Sequence, residues 1–105
     1  MKARLVFQKK EVYTDGSLTE IRIWQVRKSA AFPTGVKYVF YFISPPPECL
    51  VILGYDNHYG KGHHRHAQGR EMPVMTSSVN ALLQRFRREV AEHLRAWGIA
   101  LKGTS

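Results

Sequence analysis

The chain has 105 residues, 44% of them hydrophobic, and its 16 Lys and Arg against 8 Asp and Glu leave a formal charge of +8. That length supports one packed domain spanning residues 1–105 and excludes two independent cores. The single cysteine, Cys49, excludes an intramolecular disulfide, suits a reducing cytoplasm and is expected to be a buried or incidental thiol. The apolar run at residues 5–7 closes at once on Gln8, Lys9 and Lys10, so neither a signal peptide nor a membrane span is expected. The excess of positive charge points to a polyanion as partner, either nucleic acid or an acidic protein.

Residues 3–13 read as a first strand mixing Leu5 and Phe7 with Arg4, Gln8 and Lys10, and Asp15-Gly16 then supplies a hairpin turn. A second strand over residues 18–27 puts Ile21 and Ile23 on one face and Glu20, Arg22, Trp24 and Val26 on the other. Val36–Ile43 is almost wholly β-branched or aromatic, as expected of a central strand. Three successive prolines, Pro45 to Pro47, then break the ladder, and residues 49–55 return as a fourth strand. From Val79 the period changes: Leu82, Leu83, Phe86, Val90, Leu94 and Trp97 recur three and four residues apart, which predicts an amphipathic helix. Its start is capped by Ser77 or Ser78 and its end is marked by Gly98; the outer face carries Arg85, Arg87, Arg88, Glu89, Glu92 and Arg95. The fold class is therefore α+β, a four-stranded antiparallel meander packed by a C-terminal amphipathic helix.

Residues 54–66, between the fourth strand and the helix, hold four of the five histidines: His58, His63, His64 and His66. This segment is expected to be a loop held by the end of a strand, a common position for function. Gly60 and Gly62 flank Lys61, which lets the backbone turn sharply or approach a phosphate. Three uses of the imidazoles stay open. Two can act as general base and general acid on an RNA phosphodiester, with Lys61 and Arg65 on the phosphate and Asp56 orienting one ring. If residues 63–66 are extended, His64 and His66 share a face and bind a transition metal with His58 or Asp56, although the spacing matches no standard zinc finger. Or the segment is a polar loop without chemistry. Trp24, Tyr38 and Tyr41 are candidates for base stacking if their strand face is open.

The Tyr55-Asp56-Asn57-His58 sequence, followed by Gly60-Lys61-Gly62-His63-His64-Arg65-His66, resembles the TumE-like toxin family of prokaryotic toxin–antitoxin systems. The likeness extends through Lys37-Tyr38-Val39-Phe40-Tyr41-Phe42 and Leu82-Leu83-Gln84-Arg85-Phe86, so it covers most of the chain. It implies a small cytoplasmic toxin neutralised by direct binding of a cognate antitoxin.

Charge, histidines and resemblance together lead to a toxin acting as a metal-independent endoribonuclease, with no cofactor and no membrane partner. Catalysis is expected from His63, His64, His66, His58 and Asp56, and substrate binding from Lys61, Arg65, Tyr55 and Asn57. The partners expected are RNA and the antitoxin, with the oligomeric state, a homodimer included, left open. A non-enzymatic binding module for nucleic acid or antitoxin and a metal-dependent enzyme with histidine ligands are the alternatives.

Overall fold

The computed structural model describes residues 3–57, 62–76 and 78–104. Four strands lie close to their expected places: β1 (Arg4–Tyr13), β2 (Leu18–Gln25), β3 (Val36–Ile43) and β4 (Val51–Asp56). Each pairs antiparallel with the next. At the first turn Asp15 Oδ1 accepts from the backbone N–H and the hydroxyl of Ser17, while Gly16 takes a φ of 91° that a side chain would oppose.

The four-stranded expectation is corrected by three short strands. β5 (His64–Ala67) pairs with β4, β6 (Arg70–Pro73) pairs with β5, and β7 (Leu101–Thr104) returns to the outer side of β1. The result is one seven-stranded sheet in the order β6-β5-β4-β3-β2-β1-β7. Part of the histidine segment is thus a strand, not a loop. Its four residues carry no apolar alternation, because pairing with the buried β4 holds them there instead of their own hydrophobicity.

One helix, α1 (Val79–Trp97), crosses β3 and β4 on one face of the sheet. Ser78 caps it, its side chain accepting from Ala81 N at 3.0 Å, while Ser77 lies outside the described residues. Leu82, Phe86 and Val90 are buried against Tyr38, Phe40, Phe42, Leu53 and Tyr55. Phe86 meets Phe40 at 5.9 Å and Tyr55 edge-on at 6.2 Å between ring centroids. Removing such a ring from a core costs about 3–5 kcal/mol.

Trp97 does not continue the buried stripe as expected: it is 73% exposed and stacks on His93. The helix ends directly after Trp97. Gly98 adopts the left-handed conformation, its N–H reaches Arg95 O, and Ile99 N–H reaches Leu94 O at 2.9 Å. This ending turns the chain back so that Ile99 packs, partly buried, against the core. Cys49, expected to be buried or incidental, is exposed in the β3–β4 connector.

The other face of the sheet carries no described helix. Strand alternation and register place there Gln8 and Lys10, then Glu20, Arg22 and Trp24, then Lys37, Val39 and Tyr41, then Gly54 and Asp56, then His64 and His66, and last Glu71 and Pro73.

Candidate functional site

The register of β4 against β5 decides which site residues meet. Asp56 lies opposite His64 and Gly54 opposite His66, whereas Tyr55 lies opposite Arg65. Because side chains alternate, the first two pairs project from the open face and the third projects toward α1. The expected site is therefore divided by the sheet itself.

On the open face, His66 Nε2 lies 2.9 Å from Asp56 Oδ2, and the hydroxyl of Tyr41 donates to the same oxygen at 3.0 Å. A carboxylate oxygen accepts, so Nε2 carries the proton and a neutral His66 is left with a free lone pair on Nδ1. Asp56 is 6% exposed, so the group that fixes this tautomer is nearly removed from solvent. Gly54 makes the arrangement possible: a Cβ there would sit 2.7 Å from Tyr41 Cδ1, in the space the Tyr41 ring occupies. His64 completes the face. Its Nδ1 lies 3.1 Å from Gly62 O, so Nδ1 is the donor and Nε2 the free nitrogen. Two residues apart on one strand, His64 and His66 have Cα atoms about 7 Å apart.

Beside His66 is a cleft of about 280 Å³ lined also by Val51, Ala67, Gly69, Arg70 and Glu71. Arg70 was not among the expected substrate ligands. Its signal in the sequence is the tight Gln68-Gly69 turn, with Gly69 at a φ of 74°, that folds β6 back beside β5.

On the helix face a second cluster forms. The Tyr55 hydroxyl donates to Glu89 Oε1, Arg65 Nη2 pairs with Glu89 Oε2, and Arg65 Nε donates to the Tyr55 hydroxyl at 3.1 Å. Arg85 lies over the Tyr55 ring, 5.6 Å from its centroid. Burial, then the Glu89 hydrogen bond, pushes the Tyr55 phenol up to about 12. Glu89 raises the Arg65 guanidinium above its ordinary value. Glu89, expected on the solvated helix face, instead turns back to the sheet, because its carboxylate is the acceptor for the buried Tyr55 on β4 and the half-buried Arg65 on β5. Arg65 and Tyr55 thus form a strut between sheet and helix, apart from His64 and His66.

His63 also faces the helix side, with Nδ1 2.7 Å from the hydroxyl of the fully buried Tyr38. Burial, with the neighbouring His64 second, lowers its pKa, while burial raises that of Tyr38. The two rings stack at 5.7 Å. Asn57 is committed to the backbone: Oδ1 accepts from Tyr38 N at 2.9 Å and Nδ2 donates to Val36 O at 2.8 Å, so its side chain extends the β3–β4 ladder. His58 and Lys61 lie outside the described residues. Among the described residues, no group of three or more His, Cys, Asp or Glu is arranged to hold a metal ion, and no helix is long and apolar enough to cross a membrane.

A family model described as Toxin TumE matches residues 2–94, most of the chain. No curated protein and no solved structure matches it.

Proposed function

The chain belongs to the TumE toxin family, and from that premise we propose that it is the toxin of a toxin–antitoxin pair which cleaves RNA by metal-independent acid–base chemistry. The observation that carries this reading is the buried Asp56 carboxylate holding His66 Nε2 while Tyr41 holds the same carboxylate. In that arrangement Nδ1 of His66 takes the proton of a ribose 2′-hydroxyl as O2′ attacks the adjacent phosphorus. The P–O5′ bond breaks, and a protonated His64 Nε2 delivers a proton to the leaving 5′-oxygen, giving a 2′,3′-cyclic phosphate and a free 5′-hydroxyl. The spacing of about 7 Å between the two residues suits a base and an acid on opposite sides of one phosphate. Asp56 orients the base, as a carboxylate does in other such pairs.

Lys61, which the sequence places just before the histidine strand, is the cation for the phosphate, whereas Arg70, though it lines the cleft beside His66, lies opposite Ala67 in the register and so starts from the helix side of the sheet. Arg65 is assigned instead to the strut with Glu89, and Asn57 to the ladder. The toxin acts in the cytoplasm, where its cognate antitoxin binds it directly.

The test is a defined RNA incubated with wild type, His66→Ala and His64→Ala, with chelator present, and the termini identified by mass spectrometry. Cyclic phosphate ends from wild type, and a loss of roughly 100-fold or more in each variant, are the expected result. Undiminished cleavage by both folded variants would return this face to a binding role.

A further inference from the structure

The sheet has two chemically different ends, set by which connectors meet there. At the end where β2 passes to β3 and β4 passes to β5, the described connecting residues are 26–35, 57, 62–63 and 74–76. These described residues hold Arg27 and Lys28 and no acidic residue. The opposite end is formed by residues 14–17, 44–50, 68–69 and 98–100, which hold Asp15 and Glu48 and no basic residue. Positive charge is thus gathered at the end from which the histidine strand starts.

On the open face at that same end, Trp24 lies opposite Lys37 in the register of β2 and β3, with Lys37 Nζ 5.6 Å from the centre of the indole. Both side chains are only partly buried. Arg22 lies two residues before Trp24 on the same face of β2, in the row that continues through Val39 and Asp56 to His64. Its Nη2 pairs with Glu20, yet its Nε is buried without a hydrogen-bond partner. An unused donor of that kind is relieved when the guanidinium turns to an added acceptor.

Three strand spacings and two residues separate Trp24 from His64, roughly 16 Å, a span that a few nucleotides of extended chain would cover. A duplex cannot present its bases to a flat sheet, whereas an unpaired strand stacks them on an exposed aromatic ring. Stacking of a base on Trp24 outweighs the exposed Lys37–indole contact and releases the ammonium to a phosphate.

Resting on the reading of the histidine face as an RNA-cleaving site, we infer that its substrate is single-stranded RNA, laid across the open face with one base stacked on Trp24 and its phosphates on Lys37, Arg22 and Lys28. Specificity for an unpaired strand follows from the flat aromatic surface rather than from contacts to base edges.

The experiment uses the full chain carrying Trp97→Phe, which leaves Trp24 the only indole, and His66→Ala, which prevents cleavage during titration. A single-stranded uridine oligonucleotide roughly ten residues long should quench Trp24 fluorescence, and the same strand annealed to its complement should do so far more weakly. Trp24→Leu, and separately Trp24→Phe to keep a ring, are compared by anisotropy of a labelled strand. The leucine variant should bind roughly tenfold more weakly and the phenylalanine variant should lie between. Absence of quenching, equal quenching by the duplex, or unchanged affinity in Trp24→Leu overturns the inference. Cleavage by wild type, measured in parallel, separates the two readings: if it persists when Trp24 proves silent, the histidine chemistry stands alone. If the unpaired strand quenches Trp24 but wild type cuts nothing, the track stands and the chemistry fails.

Discussion

The surroundings of His63, His64 and His66 are set by parity along residues 63–66. His63 and Arg65 turn to the helix side while His64 and His66 turn to the open face, so adjacent imidazoles meet different surroundings. The surroundings of His63 resist its protonation. The buried Tyr38 hydroxyl lies 2.7 Å from its Nδ1, and burial lowers its pKa below the ordinary 6.5. The sign for stability follows. The unfolded chain binds the His63 proton more tightly than the folded one, so stability is lost as pH falls below about 6.5. The loss levels off once the native imidazole is itself protonated. Denaturant unfolding between about pH 7.5 and pH 5 should therefore show a shallower fall in His63→Gln, whose amide keeps a hydrogen-bonding group for the Tyr38 hydroxyl. An identical pH slope in both proteins would show that His63 is not the titrating group.

At the level of elements, the strut of Tyr55, Arg65 and Glu89 ties α1 to β4 and β5 at three polar points. Replacing Glu89 with Gln removes the charge and leaves Arg65 half-buried without its anion, a change expected to cost about 1–3 kcal/mol. Urea denaturation would measure it, and a shift no larger than that of an exposed helix substitution such as Arg88→Gln would show the strut to be ornamental. The strut was hidden in the sequence because a helical wheel assigns Glu89 by hydrophobicity alone, and a carboxylate facing a polar strand end looks the same as one facing water. Periodicity was informative where burial is apolar: Val36–Ile43, the Ile21 and Ile23 face, and the helix from Val79 with Ser78 and Gly98 at its ends all follow from it. It was uninformative for β5, β6 and β7, four-residue strands placed by their neighbours' unpaired edges rather than by their own composition. The Asp56 contact to an imidazole was legible as chemistry, while the choice of His66 required the Gly54–His66 register.

Across the whole molecule, the +8 charge is unevenly distributed, and the unevenness matters more than the total. Far-end connectors carry Asp15 and Glu48 without a basic residue, so a phosphate chain is drawn to the end holding Arg27, Lys28 and Lys37. If single-stranded RNA neutralises about four cations there, the logarithm of its association constant should fall with the logarithm of salt at a slope of about −3. Neutralising one cation on the track, as in Lys28→Gln, should make that slope shallower by about 0.7. Neutralising Arg88, on the exposed side of α1, should lower the affinity slightly and leave the slope nearly unchanged, because a distant charge steers the strand without displacing its counterions. Equal changes in the two variants would mean that RNA responds only to net charge. The oriented end would then have no part in binding, whatever the histidines do to the phosphate.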